Sequence, residues 1–216
     1  MCGIVGFTGK PDLQILTTMA DVIRHRGPDD DGFYTGINIS LGMRRLSIID
    51  VATGKQPVHN ENKSIWCVFN GEIYNYRDLI PDIKNRGYNL FSSSDTEVVL
   101  RLYEIYGKEC LGKLRGMFAF AIWDKNKQLL FIARDRVGIK PLYYFMDNNH
   151  FVFASEIKAI LATGCSARYI NKRAFSQYMR FLTVPQPDTI FENIFKLEPG
   201  YFMSVSLKGQ VKKESY

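Results

Sequence analysis

Cys2 is the residue of this 216-residue chain whose position could make it reactive. Loss of Met1, which a small second residue favours, would leave a thiol and a free α-amine on one residue. In model peptides a thiol titrates near about 8.5 and an α-amine near about 7.7–8.0, so the amine is a usable base around neutrality. Nucleophile and base are then joined by covalent geometry, and no histidine is required. Retention of Met1 would turn that amine into an amide and remove the base. The glycines in Met1-Cys2-Gly3-Ile4-Val5-Gly6 would let backbone approach a bound substrate closely. A cysteine at position 2 is common by chance, so the pattern alone is a weak signal.

The other cysteines, Cys67, Cys110 and Cys165, form no CxxC pair. Their spacing suits neither zinc nor a disulfide framework, and they are expected to pack as small apolar residues. The formal charge of +6 raises nucleic-acid binding, but the 28 basic residues are scattered, with Arg44-Arg45 and Lys212-Lys213 the densest pairs. A solvated surface is the better reading. No run of roughly 18 apolar residues and no secretory leader pattern is present, so a membrane span is not expected and a cytoplasmic protein is.

The elements that must position Cys2 follow from hydrophobic periodicity. GMFAFAIWD (116–124) is apolar on both faces, which implies a strand covered on both sides. QLLFIARDR (128–136) and HFVFASE (150–156) repeat that character, with turn signals at Asp124–Asn126 and at Asp147-Asn148-Asn149. Leu13, Leu16, Ala20 and Ile23 form a helical stripe, as do Val98, Leu102 and Ile105. Ser94-Asp95-Thr96-Glu97 has the form of a capping box. Phe175, Tyr178, Met179 and Leu182 mark a helix beginning after Asn171. Two-sided strands with a few amphipathic helices imply two stacked sheets with helices outside, a layered α+β fold in one continuous domain. Asn70-Gly71, following the strand SIWCVF, is a turn signal on local grounds.

Taken together, MCGIVGF, RHRGPDD (24–30), RRLSIID (44–50), QPV (56–58), NGEIYNY (70–76), SSDTEVVL (93–100), GMFAFAIWD, RDRVGIKPLYY (134–144) and FASEIKAI (153–160) resemble, in order, the class II glutamine amidotransferases. VPQPDTIFENIFKLEPGY (184–201) is similar to the asparagine synthetase (glutamine-hydrolysing) branch in particular. The resemblance covers the whole of 1–216 and implies the four-layer αββα N-terminal nucleophile hydrolase fold. It implies an enzyme in which Cys2 attacks the glutamine side-chain amide while its own α-amine moves the proton. Asn70 and Gly71 would form the oxyanion hole. Arg45 would clamp the substrate carboxylate, Asp95 and Glu72 would take its ammonium, and Leu46, Ser47, Ile48 and Ile49 would wall the same substrate. Locally, Asp95 could equally be an acid in a first helical turn and Arg45 a residue of a half-exposed strand.

Arg26 would support the geometry around Cys2, and Asn75 would lend further support. Histidine as a residue type suits a general base, but the family uses the α-amine, which leaves His25 a structural hydrogen-bonding position. Asp135 and Arg136 could form an ion pair in a segment that reads mainly as scaffold and as a domain contact. The glutaminase step needs no metal or cofactor. ATP and magnesium would belong to a synthetase domain expected after Tyr216, in cis or in trans, because no Gly-rich phosphate loop of the SGGxDS kind occurs here. Expected partners are L-glutamine and that domain, with a homodimer left open and neither nucleic acid nor membrane. The alternatives are an amidotransferase domain serving a carboxylate other than aspartate, or a non-catalytic glutamine-sensing or docking domain.

Overall fold

Both faces of residues 116–124 are apolar because both are covered. The structure, a computed structural model that describes residues 2–46, 54–147, 150–166 and 168–216, pairs this segment along both edges and packs it above and below. In chain order the elements begin with β1 (Gly3–Thr8), α1 (Leu13–Asp21), β2 (Asp30–Gly36), β3 (Ile39–Arg45), β4 (Val58–His59) and β5 (Ile65–Ile73). There follow α2 (Tyr76–Asn85), α3 (Asp95–Tyr106), β6 (Gly116–Asp124), β7 (Leu129–Arg134), β8 (Tyr143–Met146) and β9 (Phe151–Ala154). The last are α4 (Ile157–Leu161), α5 (Lys172–Phe181), β10 (Ile194–Lys196), β11 (Tyr201–Ser206) and β12 (Val211–Ser215).

Two six-stranded sheets result, in the orders β10-β8-β9-β1-β3-β2 and β12-β11-β7-β6-β5-β4. Alternation along β6 shows how they stack. Phe118, Phe120 and Ile122 pack with Val98, Val99, Leu102 and Tyr103 of α3. Ala119, Ala121 and Trp123 pack instead with Ile4, Leu41, Met43 and Phe153 of the opposite sheet. On that sheet's outer face Val5, Phe7, Val152 and Ala154 meet Leu16, Met19 and Ala20 of α1 and Ala159 and Ile160 of α4. The layers therefore run helix, sheet, sheet, helix, which is the αββα arrangement expected. Among the described residues no helix is long and apolar enough to cross a membrane.

Several local expectations need correction. Asn70-Gly71 is not a turn: β5 runs on to Ile73, with Asn70 opposite Ala119 and Gly71 opposite Phe118. A full-length partner strand on one side overrides the local turn preference. Ser94 does cap α3, accepting from Thr96 N at 3.2 Å, but Glu97 completes no capping box. Its carboxylate takes the N–H groups of Phe91 and Ser92 instead, fastening the loop before the helix. In α1, Leu16, Ala20 and the following Ile23 are buried whereas Leu13 is exposed. α5 starts after its Asn171 cap as expected, yet Phe175, Tyr178, Met179 and Leu182 all face outward and Ala174 is the residue it buries. Of the two turn signals, Asp124 closes the first by accepting from Asn126 and Lys127; Asn148 and Asn149 of the second lie outside the described residues.

Asp135 forms no ion pair with Arg136. Fully buried, it accepts the backbone N–H groups of Phe118, Val137, Ile139 and Lys140 at 2.9–3.2 Å, and so shapes the loop after β7. Arg136 lies over the Tyr216 ring. Asp135→Ala would strand those donors, two of them in the interior, at about 2–4 kcal/mol. Urea unfolding is expected to show a lower midpoint with an unchanged m-value; an unshifted midpoint would contradict this role.

Candidate active site

β1 begins in the middle of its sheet, between β3 and β9, so the start of the chain is held from several directions. Ile4 N–H donates to Ser155 Oγ and Ser155 N–H donates to Ile4 O, both at 2.9 Å. Arg26 Nε donates to Cys2 O at 3.0 Å. The Cys2 sulfur receives the Leu46 N–H at 3.4 Å. The glycines beside it pack closely against neighbouring residues instead of lining the cleft. A Cβ on Gly3 would meet Ile23 and Arg26, and one on Gly6 would strike the Phe153 ring and Ser40 O; the cleft described next includes neither. Their small size serves packing.

Cys2 opens into a cleft walled by Arg45, Leu46, Asn70, Gly71, Glu72 and Asp95, with Gln56, Ser94, Thr96, Met117 and Lys140 completing it. The open edge of β5 forms one wall. Its neighbour β4 pairs only with Cys67 and Trp66, so the N–H groups farther along need other acceptors. Phe69 N–H goes to Gln56 Oε1 at 2.7 Å and Ile73 N–H to Asp95 Oδ2 at 2.9 Å. Residue parity puts the Gly71 N–H on this same edge, between those two. Phe118, opposite Gly71, turns its own N–H and C=O to Asp135, as an antiparallel pair without mutual hydrogen bonds requires. Gly71 must be glycine, since a Cβ would stand 2.3 Å from Met117 O. Asn70, only 1% exposed, carries an Nδ2 with no hydrogen-bond partner among the described residues. A buried amide N–H₂ left unpaired costs free energy in the empty fold.

The cleft carries opposite charges across a short space. Arg45 lies on β3 and is buried, which removes the half-exposed reading. Its neighbour Arg44 is occupied by Asp21 and Asp31, so neither member of the basic pair is a solvated surface charge. Asp95, at the first turn of α3, has its carboxyl raised above the ordinary range, chiefly by burial, with Glu72 adding to the rise and bonds from Ile73 and Thr96 opposing it. A cleft with a buried guanidinium and two acids, near a thiol and two edge-facing N–H donors, can hold an α-amino acid by both charged ends and stabilise an oxyanion.

Of the residues expected at the site, Cys2, Arg45, Leu46, Asn70, Gly71, Glu72 and Asp95 come together; Ser47, Ile48 and Ile49 lie outside the described residues. Arg26 sits behind Cys2. Asn75 stands away from the cleft, tying the start of α2 to Lys113 O and Arg115 N. His25 bonds Glu156 at 2.8 Å and is half exposed, in line with a structural position. Among the cleft residues not anticipated are Gln56 and Lys140. Gln56, whose side chain stands in for a missing strand beside Asn70, was visible only as part of QPV. Lys140, whose segment reads as scaffold, is buried in the wall because Asp135 folds the loop inward. Burial pushes the Cys67 thiol up and Cys110 to about 12, leaving little thiolate on either, while Cys165 packs half-buried by α1 and α4.

Residues 1–216 match the family model described as a glutamine amidotransferase domain. The chain is 43% identical over its whole length to asparagine synthetase [glutamine-hydrolyzing] 1 of Bacillus subtilis, of which it covers 35%. It is 37% identical over 94% of its length to amidase chry2 of Gibberella zeae, covering 32% of that protein. In three dimensions it is similar to glutamine phosphoribosylpyrophosphate amidotransferase from B. subtilis, with a TM-score of 0.71 at 22% identity, over 99% of this chain and 49% of that one. The chain thus spans about a third of the length of the curated relatives it matches.

A raised carboxyl at Asp95 means that ionisation of this group opposes folding. The folded state holds the proton more tightly, so stability from this group falls as pH rises from the ordinary carboxylate value through the raised one. Asp95→Asn, which keeps an acceptor for Ile73 N–H, is expected to be at least as stable as wild type near about pH 7, with a smaller margin near about pH 4. Chemical denaturation at both pH values measures it; a variant clearly less stable at pH 7 would contradict the sign.

Proposed function

The chain belongs to the glutamine amidotransferase family, and from that premise we propose that it hydrolyses glutamine to glutamate and ammonia with Cys2 as an N-terminal nucleophile. The observation that carries this reading is Asn70 Nδ2, without a hydrogen-bond partner among the described residues, beside the edge-facing N–H of Gly71 in the wall of the cleft that holds Cys2. A group built to receive a transient oxyanion has reason to remain unpaired in the resting fold.

Glutamine enters with its α-carboxylate on Arg45 and its α-ammonium between Asp95 and Glu72, which directs the side-chain amide to Cys2. With Met1 removed, the α-amine takes the thiol proton as sulfur attacks the amide carbon. The C=O electrons move onto oxygen, where Asn70 and Gly71 receive them. Collapse of this intermediate expels ammonia, which leaves with the proton relayed by the amine. A γ-glutamyl thioester remains on Cys2. Water, deprotonated by the same amine, then adds to the thioester, and glutamate departs as the thiol is restored. The Leu46 N–H supports the sulfur whenever it carries charge. Neither metal nor cofactor enters these steps.

In the further reading the ammonia passes, in the cytoplasm, to an ATP- and magnesium-using synthetase domain, in cis or in trans, that converts aspartate to asparagine; the relative named a glutamine-hydrolysing asparagine synthetase supports asparagine as the product. The amidase relative keeps a different acceptor in view. Glutamate release by the trimmed protein tests the core of the proposal. Cys2→Ala is expected to abolish it with the fold intact, and Asn70→Ala to lower kcat by about 10²–10³-fold. Near wild-type turnover in Cys2→Ala would refute the assignment.

A further inference from the structure

The start of β1 is restrained by two adjacent residues of the chain that follows β9. Ser155 bonds the Ile4 backbone directly. Glu156 acts one guanidinium away: Arg26 Nη1 donates to its Oε1 at 3.1 Å while Arg26 Nε holds Cys2 O at 3.0 Å. The stem of Arg26 lies over Gly3, close enough that a Cβ there would come within 3.2 Å of Cδ. Arg26 is one-tenth exposed, and Glu156 is its only carboxylate partner among the described residues. A buried guanidinium deprived of its anion is costly and would reorient toward water. The Cys2 carbonyl would lose its anchor with it.

Glu156 also collects charge from elsewhere. His25 Nε2 lies 2.8 Å from Oε1 and Lys158 Nζ 3.3 Å from Oε2. Burial opposes ionisation of Glu156, but the bonds from Arg26, His25 and Lys158 outweigh it and hold the carboxyl below the ordinary range. Among the described residues, other titratable and charged groups around the start of β1 include Tyr143 of β8, with Lys196 of β10 over its ring, Arg44 and Arg45 of β3, which lie opposite Asp31 and Asp30 of β2 in the strand register, and Glu72, Asp95 and Lys140, which line the cleft with Cys2. Without Glu156, Arg26, His25 and Lys158 lose the carboxylate that they share.

We infer that Glu156 is a positioning residue for the glutaminase reaction: through Arg26 it fixes the Cys2 backbone, and its charge sets the electrostatic setting of the Cys2 α-amine. This inference rests on the proposed N-terminal nucleophile chemistry. Its signature differs from that of a packing residue, because removing a nearby anion makes the ammonium form of the amine less favourable. The neutral base is then available at lower pH.

The test is the pH dependence of glutamate release by the trimmed protein, wild type beside Glu156→Gln and Glu156→Asp. Glu156→Gln is expected to lower kcat roughly tenfold with KM for glutamine changed less than about threefold, since the substrate contacts lie elsewhere. Its acid-side limb is expected to move to lower pH by roughly half a unit. Glu156→Asp, which keeps the charge, is expected to restore the wild-type limb even where kcat recovers only in part. Unchanged kcat in Glu156→Gln overturns the inference, as does lost activity with the limb unmoved in a folded variant. An inactive wild type would bring down the proposed function and this inference together; an active wild type matched by Glu156→Gln removes this inference alone.

Discussion

The open edge of β5 is the constraint on which the site depends. A strand in the interior of a sandwich cannot leave its N–H groups without acceptors, because each unpaired buried donor costs free energy. Here the neighbouring strand covers only two residues, and side chains take over: Gln56 serves Phe69, Asp95 serves Ile73, and the N–H of Gly71 is left between them. That arrangement makes a donor of the backbone at one defined point. It also brings an acid of α3 to the same place, because the carboxylate that satisfies Ile73 is the one that would bind a substrate ammonium.

The other half of the site is a chain start held in an interior position, where termini ordinarily fray. β1 resists fraying because it is paired on both sides and because Ser155 and Arg26 hold its first residues. The two sheets stack closely where Ala119, Ala121 and Val68 meet Ile4 and Met43, and this stacking brings Cys2 and Asn70 into one cleft. Several of these groups are poorly placed for stability alone. Asn70 keeps an Nδ2 with no partner among the described residues, and Asp95 carries a charge that burial disfavours. Both are compensated by the apolar layers around them, as expected of a site whose groups are completed by a ligand.

The layers were legible because alternation in β6 left no wet face, and a strand apolar on both sides needs cover on both sides. Helix starts at Ser94 and Asn171 were legible from their caps. What failed was any inference that needed a partner's identity. Asn-Gly favours a turn until nine residues of β6 lie beside it. Glu97 has the spacing of a capping box, yet a loop offered it better donors. The stripe of α5 says that a face is apolar without saying whether the chain folds anything over it. Gln56, Lys140 and Glu156 act through contacts 13 to 130 residues distant or through a loop shaped elsewhere, and local sequence carries no sign of those. The core of the site was readable from the order of the family segments, in which Cys2, Arg45, Asn70, Gly71 and Asp95 have fixed places.

In the proposed reaction the sulfur of Cys2 becomes acylated opposite the donors of β5. Rapid quenching of the trimmed protein with saturating glutamine in acid, followed by peptide mass spectrometry, tests it most directly. The expected product is a γ-glutamyl group on the peptide that begins with Cys2, attached through a bond that hydroxylamine cleaves. Glutamate released while Cys2 stays unmodified at every quench time, or the adduct on Cys67, Cys110 or Cys165, would contradict it.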